Sequence, residues 1–195
     1  MTDRPDAART GPVAADPQRP VTTTRPAQLN LTVRPARADE LAAAGTVVRR
    51  AYQADGYDGD YLDVVADAPD RSRDAEIAVA VGDHVQLLGC VTFVLPGSRW
   101  AELSGPGEAE FRMLGVLPEA RGLGVGRALT RWCIDRARQE GAHRLLLCSL
   151  PTMSVAHQLY TGLGFRRCPE LDLTPHPGLL LLAFELPLVP QGAGS

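Results

Sequence analysis

The chain has 195 residues and 20.9 kDa, with 45% hydrophobic and 22% charged residues and a mean hydropathy of −0.08. That is enough apolar material for one packed domain, and two independent catalytic domains would barely fit. All 20 basic residues are Arg, so Schiff-base chemistry, a lysine base and a phosphate loop ending in Gly-Lys-Ser/Thr are excluded, and a net charge of −3 with a pI near 5.8 argues against a nucleic-acid binder.

Residues 1–28 are rich in Pro, Ala, Thr and Arg and hold hardly a large apolar side chain. Such a segment cannot offset the entropy of ordering, so a disordered tail is expected there and another over 188–195. Between them lies one expected domain, 29–187. It opens with a strand at Leu29–Val33. Asp39 then offers an N-cap for a helix carrying Leu41, Ala44, Val48 and Ala51 at helical spacing. An acidic stretch with three tyrosines runs from Tyr52 to Asp70. Alternating Ile77, Val79 and Val81, a Gly82-Asp83 turn and the run from Val85 to Leu95 predict a β-hairpin. A further strand is expected over Ala109–Val116.

Beyond Pro118 the period changes. Val125, Ala128, Leu129, Trp132, Cys133 and Ala137 share one helical face, closed by Gly141. Arg144–Leu150 reads as a strand buried on both sides. Ser154 can cap a second helix bearing Val155, Leu159, Tyr160 and Leu163, closed by Gly164. A last strand is expected over Leu179–Leu186. The order βααβββαβαββ, without internal repeats, gives an α/β class with a mixed sheet and helices on its faces.

The strand-to-helix turn carries the chemistry. Gly122, Gly124 and Gly126 let the backbone approach a ligand closely, and the N–H groups at 122–126 lie where the following helix leaves its first donors unpaired. A pyrophosphate is the natural guest. The spacing Gly-x-Gly-x-Gly differs from the dinucleotide fingerprint Gly-x-Gly-x-x-Gly. A turn of this kind can also serve only to tighten packing.

Arg121-x-x-Gly124-x-Gly126, following Val116-x-Pro118, resembles the coenzyme A loop of the GCN5-related N-acetyltransferase (GNAT) superfamily. The segment Ala156-His-Gln-Leu-Tyr160-Thr-Gly-Leu-Gly164-Phe165 resembles that family's Ala-x-x-Leu-Tyr-x-x-x-Gly-Phe helix. The two blocks flank one strand, and the resemblance covers about residues 29–187. It implies a GNAT-like acyl-CoA N-acyltransferase fold and transfer of an acetyl group from acetyl-CoA to a primary amine, on a small molecule or a protein, without an acylated side chain. It further implies a cofactor site formed by Leu114, Gly115, Val116, Arg121, Gly122, Leu123, Gly124, Val125, Gly126 and Arg127. Tyr160 is then the expected general acid toward the leaving thiolate, although a tyrosine on an apolar stripe can equally be core. Many members carry Asn where this chain has Met153. A CoA-binding module of the same fold without turnover is the alternative.

Glu110 is the expected base, because it alternates with Arg112, Leu114 and Val116 along the strand that flanks the thioester; Glu108 is the fallback. The acceptor wall is expected between the first helix and the hairpin, with Tyr52, Tyr57 and Asp58 as binding residues among Asp55, Asp60, Tyr61 and Asp63. An acidic wall would favour a cationic amine. Arg166-Arg167 and Pro169–Asp172 are expected to border the cleft from the other side. Cys90, Cys133, Cys148 and Cys168 form no Cys-x-x-Cys pair and the four histidines are scattered, so no metal is expected. With neither a run of roughly 20 apolar residues nor a signal-peptide core, the expectation is a cytoplasmic monomer or homodimer with no membrane or nucleic-acid partner.

Overall fold

Period-2 stretches and glycine-closed helical stripes become strands and helices in the computed structural model, which describes residues 30–188. In chain order these are β1 (Thr32–Pro35), α1 (Leu41–Ala54), α2 (Tyr61–Ala66), α3 (Ala68–Arg71), β2 (Glu76–Val81), β3 (Leu87–Val94), β4 (Glu108–Val116), α4 (Val125–Gln139), β5 (Arg144–Ser149), α5 (Ser154–Thr161), β6 (Arg166–Arg167), β7 (Leu173–His176) and β8 (Leu179–Pro187). Residues 1–28 and nearly all of 188–195, where tails are expected, lie outside the described residues. Leu188 is described and does not fit the tail: it is buried, and its N–H donates to the His143 carbonyl at 2.8 Å.

The sheet runs β1-β2-β3-β4-β5-β8-β6, with β7 paired to β8. Every pair is antiparallel except β4 with β5, which α4 joins by a crossover. Two glycines show how closely the layers approach. A Cβ on Gly115 would lie 3.0 Å from the Val48 Cα of α1, and one on Gly89 would lie 2.7 Å from Val125 and 2.9 Å from Leu129 of α4. Since Gly89 pairs with Val116 and Cys90 with Gly115, α1 and α4 cover opposite faces. Between them Val48, Val79, Val91, Leu129, Leu145 and Leu147 are almost wholly removed from water. Each such side chain contributes about 1.5–3 kcal/mol of transfer free energy.

Local capping differs from expectation in two places. Asp39 caps nothing: Glu40 takes the Arg37 N–H at 2.9 Å and both Arg34 guanidinium nitrogens at 2.7 Å, because a longer carboxylate reaches β1 as well as the turn. Ser154 is the first residue of α5 rather than its cap, and the N-cap is Met153, whose side chain makes no cap hydrogen bond. Arg71 of α3 is fully buried. It donates to the Val64 and Val65 carbonyls at 2.9 and 2.8 Å and to Thr92 Oγ1 at 3.1 Å, tying the end of α2 to β3.

Candidate active site

Two irregularities of β4 open the site. Thr92 pairs with Arg112 and Cys90 with Gly115, so β3 spends one intervening residue where β4 spends two. The extra residue is a β-bulge, and Met113 takes a left-handed φ of 51° within it. On the other side β4 pairs with β5 only from Glu108 to Glu110, and beyond that point the two parallel strands part. The backbone edge of β4 from Phe111 to Val116 therefore has no strand partner toward β5 among the described residues. A cleft of about 620 Å³ occupies the gap, within the usual range of small-molecule sites.

One end of the cleft is the glycine turn. Gly122 and Gly124 have φ of 78° and 83°, left-handed conformations that glycine adopts without penalty, and a Cβ at either would meet nothing within 4 Å. Gly124 is the N-cap of α4. Loop hydrogen bonds take up the N–H groups of Arg121, Leu123 and Ala128, while those of Gly122 and of Gly124 through Arg127 have no acceptor among the described residues. Five free donors at the positive end of a helix suit a pyrophosphate. Arg127 lines the cleft, is exposed, and forms no ion pair among the described residues. Arg121 also lines it, but its guanidinium is spent on the end of α1, on Asp55 at 2.9 Å and the Ala51 carbonyl at 3.1 Å. Leu114, Gly115, Val116, Val125 and Gly126 complete the expected set along the cleft; Leu123 is 54% exposed and outside it.

At the other end, where the strands part, a chamber of about 30 Å³ adjoins the cleft through Leu114 and Met153. That is room for roughly one water molecule. Tyr160 lines it from α5, packed against Phe111, Phe165 and Phe184 at about 6 Å, and its hydroxyl has no protein partner among the described residues. Burial pushes the Tyr160 phenol well above its ordinary value, so it stays protonated across the physiological range. Ser149 also lines the chamber, and its Oγ is buried without a partner among the described residues. Cys148 is a third lining residue, and burial pushes its thiol up to about 12. Burial likewise raises the thiols of Cys90, Cys133 and Cys168. No motif in the sequence marks Ser149, Cys148 or Arg112 as neighbours of Tyr160, because strand separation brings them together.

Glu110 does not occupy the position expected of a base. The bulge breaks the alternation on which that expectation rests: Leu114 and Val116 lie near Gly126 on the α4 side, whereas Arg112 pairs with Thr92, which faces Arg71 on the α1–α3 side. Glu110, two residues from Arg112, shares that second face, is wholly buried, and lines neither cavity. Its Oε2 accepts the N–H groups of Glu102, Leu103 and Ser104 at 3.0, 2.9 and 3.2 Å. Burial raises the Glu110 carboxyl and those donors oppose the rise. Glu108, the fallback, is bound to Arg144 at 2.5 Å at the far end of β4.

Of the residues expected at an acceptor wall, the three tyrosines come together. Tyr52, Tyr57 and Tyr61 pack together with centroids 4.8–6.0 Å apart. Tyr57 lines the cleft and Tyr52 the chamber. Burial pushes the Tyr57 phenol up to about 12. Asp58 is exposed and reaches neither cavity, since the turn after α1 carries it outward. Asp63 and Asp55 are neutralised by Arg49 and Arg121. Arg166 and Arg167 do not border the cleft either; they are held by Glu185 and Asp172, at 2.9 and 2.8 Å. Among the described residues no cluster of three or more His, Cys, Asp or Glu could hold a metal ion, and no helix is long and apolar enough to cross a membrane.

Residues 41–165 match the family model described as the acetyltransferase (GNAT) family. A mycothiol acetyltransferase of Cellulomonas flavigena is 42% identical over 85 residues, 42% of this chain and 24% of that protein. Matches to curated relatives span between 19% and 62% of those proteins' own lengths. Among solved structures, a GCN5-related N-acetyltransferase from Kribbella flavida superposes with a TM-score of 0.60 at 29% identity, over 81% of this chain and 98% of that one. The fold also matches yncA from Salmonella typhimurium, solved with its cofactor acetyl-CoA, with a TM-score of 0.60 at 22% identity over 85% and 98%.

Proposed function

The chain belongs to the GNAT acetyltransferase family, and from that premise we propose that it transfers the acetyl group of acetyl-CoA to a primary amine by direct attack, with Tyr160 as proton donor at the sulfur. The observation that carries the reading is a cleft lined by the glycine turn with its five free backbone donors, adjoined through Leu114 and Met153 by the chamber that Tyr160 lines, its hydroxyl without a partner among the described residues. The turn at 122–127, with Arg127, would hold the pyrophosphate, and the unpaired edge of β4 would take the pantetheine arm.

Direct attack fits the cysteines. With every thiol raised by burial, none offers a thiolate at neutral pH to carry the acetyl group. The acceptor resembles a lysine amine, ordinary pKa near 10.4, and must first shed one proton to solvent to attack as the neutral amine. As the C–N bond forms and the C–S bond breaks, nitrogen loses its proton and sulfur gains one. A phenol held high gives up its own proton only when another replaces it, so Tyr160 acts as a hydrogen-bond donor to the departing sulfur and passes on the proton that nitrogen releases. Tyr52 and Tyr57 would form the wall against which the acceptor lies.

A second reading, a CoA-binding module without turnover, is favoured by one observation: no carboxylate or imidazole lines the chamber among the described residues. Free-thiol release from acetyl-CoA across a panel of primary amines separates the two. Amine-dependent release, reduced about 10²- to 10⁴-fold in Tyr160→Phe while acetyl-CoA still binds, supports the transferase. Binding without release across the whole panel supports the module.

A further inference from the structure

Glu110 is the most deeply buried carboxylate of the described chain, and its surroundings give it a different task from proton exchange. Three consecutive N–H groups, those of residues 102–104, converge on a single oxygen. That is an anion nest made by backbone, with the anion supplied from inside the protein. The 102–104 segment belongs to the connection between β3 and β4, and its three N–H groups have no other acceptor among the described residues. From the same segment Glu102 reaches Arg112 at 2.6 Å, and Arg112 also donates to the Trp100 carbonyl at 2.8 Å. Arg112 lines the chamber beside Tyr160 and Ser149. The second Glu110 oxygen has no hydrogen bond among the described residues and lies 3.8 Å from the Arg112 Nε.

We infer that Glu110 is a positioning residue: it moors the 102–104 segment, which through Glu102 fixes Arg112 and so shapes the acceptor side of the chamber, and it takes no proton from the amine. The inference rests on the transferase reading above for its kinetic consequences and on the three-donor geometry for its structural ones. Glu110 touches neither cavity, and the chamber-lining group beside its second oxygen is Arg112, a cation. An amide at this position would keep an acceptor oxygen for the three N–H groups, whereas an alanine would leave all three without that acceptor.

Steady-state kinetics with varied amine and varied acetyl-CoA, paired with amide hydrogen exchange at residues 102–104, test this on wild type, Glu110→Gln and Glu110→Ala. In Glu110→Gln the expected result is a kcat within about threefold of wild type, an unmoved acid limb of the pH profile, and exchange at 102–104 that stays slow. In Glu110→Ala the amine KM should rise on the order of tenfold, with the acetyl-CoA KM little changed and exchange at the three amides faster by a similar factor. A kcat loss of 100-fold or more in Glu110→Gln, with its acid limb abolished and its amides still protected, would make Glu110 the base and overturn the inference. Unchanged exchange in both variants would overturn it too. If wild type gives no amine-dependent release at all, the transferase reading fails by itself, and the exchange measurements still decide whether Glu110 moors the segment. Should Glu110→Ala not fold, Glu110→Gln still distinguishes a base from a mooring.

Discussion

Replacing Gly124 by Ala isolates the backbone contribution of the glycine turn. The substituted Cβ would meet nothing within 4 Å, so sterics with neighbours contribute nothing. The cost is conformational: φ of 83° and ψ of 2° place an L-residue in the left-handed region, about 1–2 kcal/mol above its preferred state. That amount has two destinations. If the free loop keeps its shape, unfolding free energy drops by about 1–2 kcal/mol and CoA affinity is unaltered. If the free loop relaxes, the N–H groups of Val125 and Gly126 turn away and must be turned back on binding, so Kd for CoA weakens by about 5- to 30-fold while stability holds. Denaturant unfolding together with calorimetric titration by CoA measures both, and the two losses should sum to about 1–2 kcal/mol. Gly126→Ala is the control. Its backbone is not left-handed, and the one tight contact of its Cβ would be the Leu159 Cδ2 at 3.3 Å, a flexible tip that can yield, with Val116 Cγ2 at an ordinary 3.7 Å. If Gly124→Ala changes neither stability nor Kd, the left-handed turn is not what aims the donors, and the pyrophosphate assignment falls with it.

Three other outcomes are expected. Gly45→Ala should destabilise by at least about 1–3 kcal/mol despite the helix propensity of Ala, because its Cβ would sit 1.8 Å from the Ala66 carbonyl oxygen and force α1 from α2; urea unfolding equal to wild type would refute the contact. Cys148 should resist alkylation at pH 8, where a thiol held near 12 is ionised in roughly one molecule in 10⁴; labelling at the rate of a free cysteine would show that the chamber is open and wet. Glu40 is held down to about 2, chiefly by its hydrogen bonds to Arg34, below an ordinary 4.5. A lowered folded-state value stabilises above the unfolded value, so the advantage of wild type over Glu40→Gln should be complete above about pH 4.5 and fade as pH falls toward about 2. An advantage that grew on acidification would reverse the sign and sink the assignment.

Local pattern goes far in this chain. The hairpin, α4, β5 and α5 lie within a residue or two of where alternation, helical stripes and glycine stops place them, because each of those signals is written over neighbouring positions. Hydrogen bonds that cross the fold are less visible. Glu40 displaces Asp39 at the start of the first helix by reaching Arg34 on another element, and a two-residue β6 is too short to leave a period. The acidic segment after α1 shows the same limit. Its composition suggests an anionic wall, yet two of the four aspartates from Asp55 to Asp63 are matched by arginines on other elements and Asp58 faces away from both cavities.

By itself the sequence determined the glycine turn and the helix carrying Tyr160, since a phosphate nest needs only consecutive residues with the right φ and a helix start. It also settled that anion binding must use backbone and Arg, there being no Lys. Tertiary structure alone decided what faces the reaction. One extra residue at Met113 turns the side chains of β4 over, sending Leu114 and Val116 to the cleft and Glu110 to a buried nest on the opposite face. A register shift of one is invisible in an alternating strand, because the alternation reads the same on either side of it until a partner strand fixes which residues pair.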